Sequence, residues 1–241
     1  MKIILAVDRD FGIGKDNKLL FHLKKDLAHF KDLTLNNIVI MGRKTYKSMN
    51  GALPKRENIV LTRNKDLKLD DALVFNDIEN LLEYVKENKN DREVFVIGGK
   101  EIVDLLLDFC DEAIITKIDA KKDADTFLHN FDKDKNFEIV NKSEDYYEND
   151  LKFNYITYRR KKMIEIFVSK LCPDCSEIIE DYKNNPKNFQ GCELIDITDS
   201  MINLKRFLAY RDNFNDFEEK IKTNQVGIPV KITDKKEVEF L

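Results

Sequence analysis

Short runs of apolar and β-branched residues, without polar alternation, set the strongest limit on how this chain can fold. They fall at 2–7 (KIILAV), 38–41 (IVIM), 59–62 (IVLT), 94–97 (VFVI) and 113–118 (AIITKI). An unbroken run of that length suits a strand covered on both faces, because each side chain then meets a core. Helical patterns lie between the runs, at 24–33, 44–49, 78–87 and 100–108. Strands and helices alternating in this way predict an α/β domain on a mostly parallel sheet with helices on both faces. Two later runs, 137–142 and 153–160, alternate better and predict an antiparallel edge that closes the domain.

The pattern restarts after Arg159-Arg160-Lys161-Lys162. A strand (MIEIFVS), a helix (PDCSEIIEDYK), a strand (CELIDI) and a second helix (SMINLKRFLAYR) follow, the last with Met201, Leu204, Phe207 and Leu208 on one side. DFEEKIK adds another helical turn or two, and VKITDKKEVEFL reads as a hairpin around Asp234-Lys235-Lys236. The boundary therefore falls near 162, with domains at 1–161 and 163–241. A length of 241 residues accommodates two modest domains.

A formal net charge of −4, with no gathered basic face, argues against nucleic acid as a partner. No segment reaches the roughly 20 apolar residues of a membrane-spanning helix. Asp8 ends the opening apolar run too soon for a signal peptide. A soluble, cytoplasmic protein is expected, with no membrane partner.

Two segments share one design of strand, glycine and cation-bearing helix start. They are IVIMGRKTYKS (38–48), with Gly42, Arg43, Lys44 and Thr45, and VFVIGGKEIVDLL (94–106), with Gly98, Gly99 and Lys100. A helix N-terminus attracts phosphate, and glycine lets a ligand approach the backbone. Two such ends on one sheet suit the phosphates of a dinucleotide. Arg43, with Arg63 after the third strand, is what a 2′-phosphate, and so NADPH over NADH, would favour. The plainer reading is ordinary strand-to-helix punctuation. GIGKDN (12–17) does not have the GxGxxG spacing, so a Rossmann site is not supported.

In KLLFHLKKDLAHFKDLT (18–34), Leu23, Leu27 and Phe30 fall on one helical face with Asp26 beside them. A first-turn aspartate has a plain explanation in the helix dipole. If that face lines a pocket, the carboxylate can grip adjacent N–H groups of a heterocycle. Desolvation would raise its pKa and hold a proton near the reacting ring.

The ordered blocks AVDRDFGIGKDNKLLFHLKKDLAHFK, VIMGRKTYKSM, LPKRENIVLTR, VIGGKEI and ITKIDAKKDADTF give residues 1–160 a specific resemblance to dihydrofolate reductase. The resemblance implies NADPH-dependent reduction of 7,8-dihydrofolate to 5,6,7,8-tetrahydrofolate, with hydride to C6 and a proton to N5. It implies that Asp26 is the pterin-binding carboxylate and Thr116 its hydroxyl partner. Leu27, Phe30, Met49 and Leu53 would be apolar walls, and Arg56 the partner of the substrate's glutamyl carboxylate. Ile4 and Ile97 would offer backbone carbonyls. Ala6, Ile13, Gly14, Gly42, Arg43, Lys44, Thr45, Leu61, Thr62, Arg63, Gly98, Gly99, Lys100 and Thr126 would face NADPH, with 12–21 forming a mobile loop over the nicotinamide. The chain departs from the family in having Phe21 where tryptophan is usual, which removes an indole N–H from the proton route. A related pyrimidine reductase of riboflavin synthesis is the alternative within this fold.

The second domain carries Cys172-Pro173-Asp174-Cys175 between a strand and a helix. Cys172 at a helix N-cap would be favoured as thiolate, and Cys175, one turn on, could resolve a mixed disulfide. Zinc is the weaker reading: it wants four ligands, no second CxxC exists, and the histidines (22, 29 and 129) lie in the other domain. No metal is therefore expected. Cys110 reads as a buried small hydrophobe, and Cys192 sits at a turn-to-strand junction. CPDC, with Pro229 in VGIPV at the place of a cis-proline, resembles glutaredoxin, a small thioredoxin-like fold, here without its last helix and its Gly-Gly-Asp stretch. The resemblance implies a redox-active pair cycling between dithiol and disulfide, acting on a disulfide-containing protein or a glutathione mixed disulfide. Glutathione as electron donor stays open. The fusion suggests supply of deoxynucleotides, with ribonucleotide reductase as a candidate partner. Two alternatives for this domain are a non-catalytic docking module and a redox-regulatory module.

Overall fold

The structure is a computed structural model that describes all 241 residues. It divides into two compact units, Met1–Arg160 and Lys161–Leu241.

The first unit is built on a nine-stranded sheet. Its strands, in chain order, are β1 (Lys2–Val7), then β4 (Ile38–Gly42), β5 (Glu57–Leu61), β6 (Leu73–Phe75), β7 (Val94–Gly98), β8 (Glu112–Ile118), β10 (Phe137–Lys142), β11 (Tyr146–Glu148) and β12 (Leu151–Arg160). Three short strands, β2 (Gly12–Lys15), β3 (Lys18–Leu19) and β9 (Thr126–Phe127), form a separate small sheet. The spatial order is β10-β12-β8-β1-β7-β4-β5-β6, with β11 paired to β12. Pairings from β8 through β6 are parallel, and those of β10, β11 and β12 are antiparallel. The sheet is therefore mixed.

Because successive strand residues point to opposite faces, the apolar runs feed two cores. Ile3, Val7, Ile38, Ile40, Ile59, Val94 and Val96 meet Leu81 and Val85 of α3 (Ile78–Asn88) and Val103 and Leu106 of α4 (Lys100–Leu106). Ile4, Val39, Met41, Val60, Phe95 and Ile97 face the other way, toward Phe30 and Leu33 of α1 (Lys24–Thr34) and Tyr46 of α2 (Arg43–Ser48). Burial on both faces explains why these strands read as unbroken apolar runs.

Local ends differ from the sequence expectation where capping decides them. Leu23 is not part of the α1 face; it is the extended N-cap residue and is buried below the helix start. Helix α4 ends at Leu106, and 107–109 tighten into a 3₁₀ turn. Within segment 12–21, β2 pairs with both β3 and β9.

In the second unit, β13 (Ile164–Val168), β14 (Cys192–Asp196), β15 (Val230–Thr233) and β16 (Glu237–Phe240) form a sheet of order β14-β13-β15-β16. β13 and β14 are parallel; the other pairs are antiparallel. Phe167, Ile195, Val230 and Ile232 meet Phe207 and Tyr210 of α6 (Met201–Arg211) and Phe217, just before α7 (Glu218–Lys222). Ile166 and Val168 on the opposite face meet Ile178 and Ile179 of α5 (Ser176–Asn184), together with Cys175. Met201 does not join this core. It is the first residue of α6 and 67% exposed, while Leu204, Phe207 and Leu208 carry the contact.

Candidate active sites

The first site lies where α1 crosses the sheet face that carries Ile4 and Ile97. Ile4, Phe30, Met49, Leu53 and Ile97 all belong to one apolar cluster. Leu27 stands outside it, 48% exposed. Asp26, in the first turn of α1, is half-buried and accepts a hydrogen bond from the Thr116 hydroxyl. Thr116 is a buried residue of β8. Burial raises the Asp26 pKa above the ordinary carboxylate range, against the Thr116 hydrogen bond and nearby His29, which lower it. The charge of Glu148 adds to the upward shift.

Glu148 has a second effect that the local sequence pattern does not disclose. Its carboxylate accepts from the backbone N–H of Lys24 (2.6 Å) and of Lys25 (3.0 Å), free amides at the start of α1. The His29 ring stacks on Tyr155, centroids 3.9 Å apart, and its Nε2 is buried without a partner. Burial holds the His29 pKa below the usual histidine value. Neither residue was singled out from the sequence, because each pairing joins segments more than 120 residues apart.

Arg56 is fixed in place. Its Nε donates to Thr34 Oγ1 (2.9 Å), Nη1 to the Pro54 carbonyl (2.8 Å) and Nη2 to the Lys31 carbonyl (3.3 Å). Its guanidinium carbon lies 5.9 Å from the Phe30 ring centroid. The cation thus stands at the C-terminal end of α1, where helix carbonyls favour positive charge.

At the C-terminal edge of the sheet, β4 and β7 are neighbours, with Met41 opposite Gly98. The helix starts that follow them, at Gly42 and Gly99, have no side-chain cap. Thr45 sits between: a Cβ on Gly99 would stand 3.5 Å from its hydroxyl. Gly98 has φ +110°, a conformation that side chains rarely adopt. Gly14 pairs with Thr126 across β2 and β9, and Ala6 and Phe21 share a second apolar cluster. Leu61 ends β5 and is followed by Thr62, whose carbonyl accepts from Asn76. The residues expected at this edge differ in their surroundings. The Ile13 side chain is buried in the opposite core. Arg63 is exposed, with Glu101 3.9 Å away, Lys100 is paired with Asp104, and Lys44 is exposed.

The second site lies in the second unit. Cys172 is the N-cap of a 3₁₀ turn, Pro173–Cys175, which runs directly into α5. The helix proper therefore starts four residues later than Cys172. All four cysteines are free thiols, so the expected disulfide of the pair is not formed here. Cys175 is fully buried, and its backbone N–H donates to the Cys172 carbonyl (3.1 Å). Burial pushes its pKa up to about 11, opposed by the Ser169 N–H, which donates to its sulfur at 3.4 Å. Cys172 is half-buried and lines a cleft of about 510 Å³ together with Pro229, whose peptide bond with Ile228 is cis. Cys110 is buried in the first unit, its thiol pushed up to about 12 by desolvation. Burial also raises Cys192. No cluster of three or more His, Cys, Asp or Glu side chains is arranged to hold a metal ion.

The dihydrofolate reductase family profile matches residues 1–160. The dihydrofolate reductase of Bacillus subtilis is 32% identical over 163 residues, 67% of this chain and 95% of that protein. A bifunctional dihydrofolate reductase-thymidylate synthase of Paramecium tetraurelia is 35% identical over 156 residues, 64% of this chain and 33% of that longer protein. A solved dihydrofolate reductase from Enterococcus faecalis, complexed with NADP(H) and RAB-propyl, superposes with a TM-score of 0.60 at 32% identity, over 66% of this chain and 95% of that one. The chain belongs to the dihydrofolate reductase family.

Proposed function

We propose that residues 1–160 catalyse NADPH-dependent reduction of 7,8-dihydrofolate to 5,6,7,8-tetrahydrofolate. The observation that carries this reading is a carboxylate, Asp26, held by Thr116 beside the apolar cluster of Ile4, Phe30, Met49, Leu53 and Ile97. The pterin's amidine-like edge suits the carboxylate, and its flat rings suit the cluster. Asp26 binds and orients that edge, and its raised pKa keeps a proton close to the ring nitrogen that must receive one. Arg56, already oriented by three hydrogen bonds, is the partner for the glutamyl carboxylate.

The residues at the sheet's C-terminal edge fit a dinucleotide. Two uncapped helix starts lie side by side, glycine keeps the backbone bare, and Thr45 adds a hydroxyl. Arg43, Lys44, Thr45, Gly98, Gly99, Lys100 and Thr126 would hold it, and Arg43 with Arg63 would favour the 2′-phosphate. NADPH, when bound, supplies the hydride. The test is oxidation of NADPH by the full chain in the presence of dihydrofolate. Oxidation that proceeds equally without dihydrofolate, or with a pyrimidine substrate instead, would count against the assignment.

For residues 161–241 we propose thiol–disulfide exchange, with Cys172 as nucleophile and Cys175 as resolving thiol. Support comes from their unequal environments, one thiol in a cleft and the other sealed beneath it, and from Pro229 beside them. Reduction of a small disulfide that persists in Cys172→Ser would remove that assignment.

A further inference from the structure

The cleft that holds Cys172 is apolar at its rim and poor in usable positive charge. Leu171, the residue before the nucleophile, is 82% exposed, and Val226 in the same lining is 51% exposed. Ile228, Phe240 and Leu241 line the same cleft. Leaving Leu171 and Val226 in water forgoes hydrophobic stabilisation, and both line the same cleft as the Cys172 thiol, so apolar area is available there to an incoming chain.

The charges tell against a small anionic occupant. Lys220 is the one cation in the lining, and its Nζ lies 5.0 Å from the centroid of the Phe240 ring. Asp174, between the two cysteines, faces the cleft with the opposite sign. Lys170 beside it is already engaged, 2.9 Å from Asp199 and 3.6 Å from Asp196. Glutathione carries two carboxylates and one ammonium. Its carboxylates would meet one lysine, an aspartate and an apolar rim, a poor electrostatic match.

We propose that this cleft takes a protein segment whose cystine is flanked by apolar residues, in preference to glutathione disulfides. The inference rests on the thiol–disulfide reading above and names its substrate class. Leu171 and Val226 receive the flanking side chains, and Cys172 meets the exposed sulfur of the cystine. The Cys172 thiolate attacks that sulfur, the substrate S–S bond breaks, and the departing thiolate takes a proton from water. Cys175 loses its proton and attacks Cys172, which releases the second substrate thiol. The substrate gains two electrons, and the chain's dithiol becomes a disulfide. A small dithiol added beforehand supplies the reduced chain, so a single turnover needs no further reductant.

The experiment follows one turnover of the full-length, pre-reduced chain with four substrates. These are a synthetic cystine peptide with leucine and valine flanks, the same peptide with glutamate flanks, oxidised glutathione, and an uncharged dihydroxyethyl disulfide. The apolar peptide is expected to react at least about tenfold faster than the glutamate peptide or glutathione. In Leu171→Ser, an exposed position, its advantage over the uncharged disulfide should shrink several-fold. Equal or faster reaction with oxidised glutathione overturns the proposal while leaving the dithiol chemistry intact. Failure with all four disulfides, the uncharged one included, overturns the underlying thiol reading and this inference with it.

Discussion

The Thr116 hydroxyl donates to the Asp26 carboxylate and so ties β8, at the centre of the sheet, to the first turn of α1. The bond opposes the desolvation that would otherwise make Asp26 still harder to ionise. Thr116→Val keeps the shape and removes the donor. It should lower stability by about 1–3 kcal/mol at neutral pH and move the pH profile of dihydrofolate reduction to higher pH. A profile that stays in place would show that Thr116 does not set the proton affinity of Asp26.

Asp26→Asn separates function from stability. Loss of the ionisable group should slow dihydrofolate turnover by roughly a hundredfold or more. The folded-state pKa of Asp26 is raised, so its contribution to stability is present at low pH and is lost as pH rises through that value. At pH 7 the half-buried, desolvated carboxylate is a burden on the fold, and the asparagine variant should melt at a higher temperature. Equal melting temperatures at pH 7 would contradict this.

Glu148 gives the opposite sign. Hydrogen bonds from the Lys25 and Lys24 amides hold its pKa below the usual glutamate value. Its contribution is complete above that value and disappears as pH falls through the lowered one. Glu148→Gln should therefore reduce the melting temperature at pH 7, and the difference should shrink as pH falls below the usual glutamate range. Removing this charge should also lower the Asp26 pKa, visible as a downward shift of the turnover profile.

The thiols should separate under alkylation. With a pKa of about 11, Cys175 is roughly one part in a thousand thiolate at pH 8, and it is fully buried. Cys110 is similarly withdrawn. Brief treatment with iodoacetamide, read by peptide mass spectrometry, should label Cys172 at least about tenfold faster than either. Comparable labelling of Cys175 would remove the basis for assigning the two roles.

Glu165 lies mid-strand in β13 at 1% exposure, with Arg206 Nε 2.5 Å from one carboxylate oxygen and Tyr210 Oη 2.5 Å from the other. Arg206→Ala leaves that buried carboxylate without its cation and should destabilise the second unit by about 3 kcal/mol. Urea unfolding followed through the second unit's signal should show the loss, with the first unit's transition unmoved.

The sheets were legible because burial on both faces leaves an unbroken apolar run, and that signal is local. The core of the first unit accordingly falls where the runs placed it. What escaped was held together at long range. Glu165 in a strand suggests solvent by its charge alone, and only its pairing with residues 41 and 45 positions away explains its burial. Glu148 caps a helix that starts 124 residues earlier. Met201 matched the apolar period of α6 but sits in its first turn, where that face has not yet reached the sheet. Arg56 carries no local mark in the sequence; only the family resemblance points to it.

In its proposed role, Arg56 is a side chain ordered before its ligand arrives. Its fork is braced by a threonine and two carbonyls, so capturing an anion need not freeze a long, freely rotating arm. A lysine there would keep the charge and forfeit the brace, because an ammonium cannot span three acceptors as a planar fork does. Under the proposed role, selectivity at that corner would reside in direction as much as in sign.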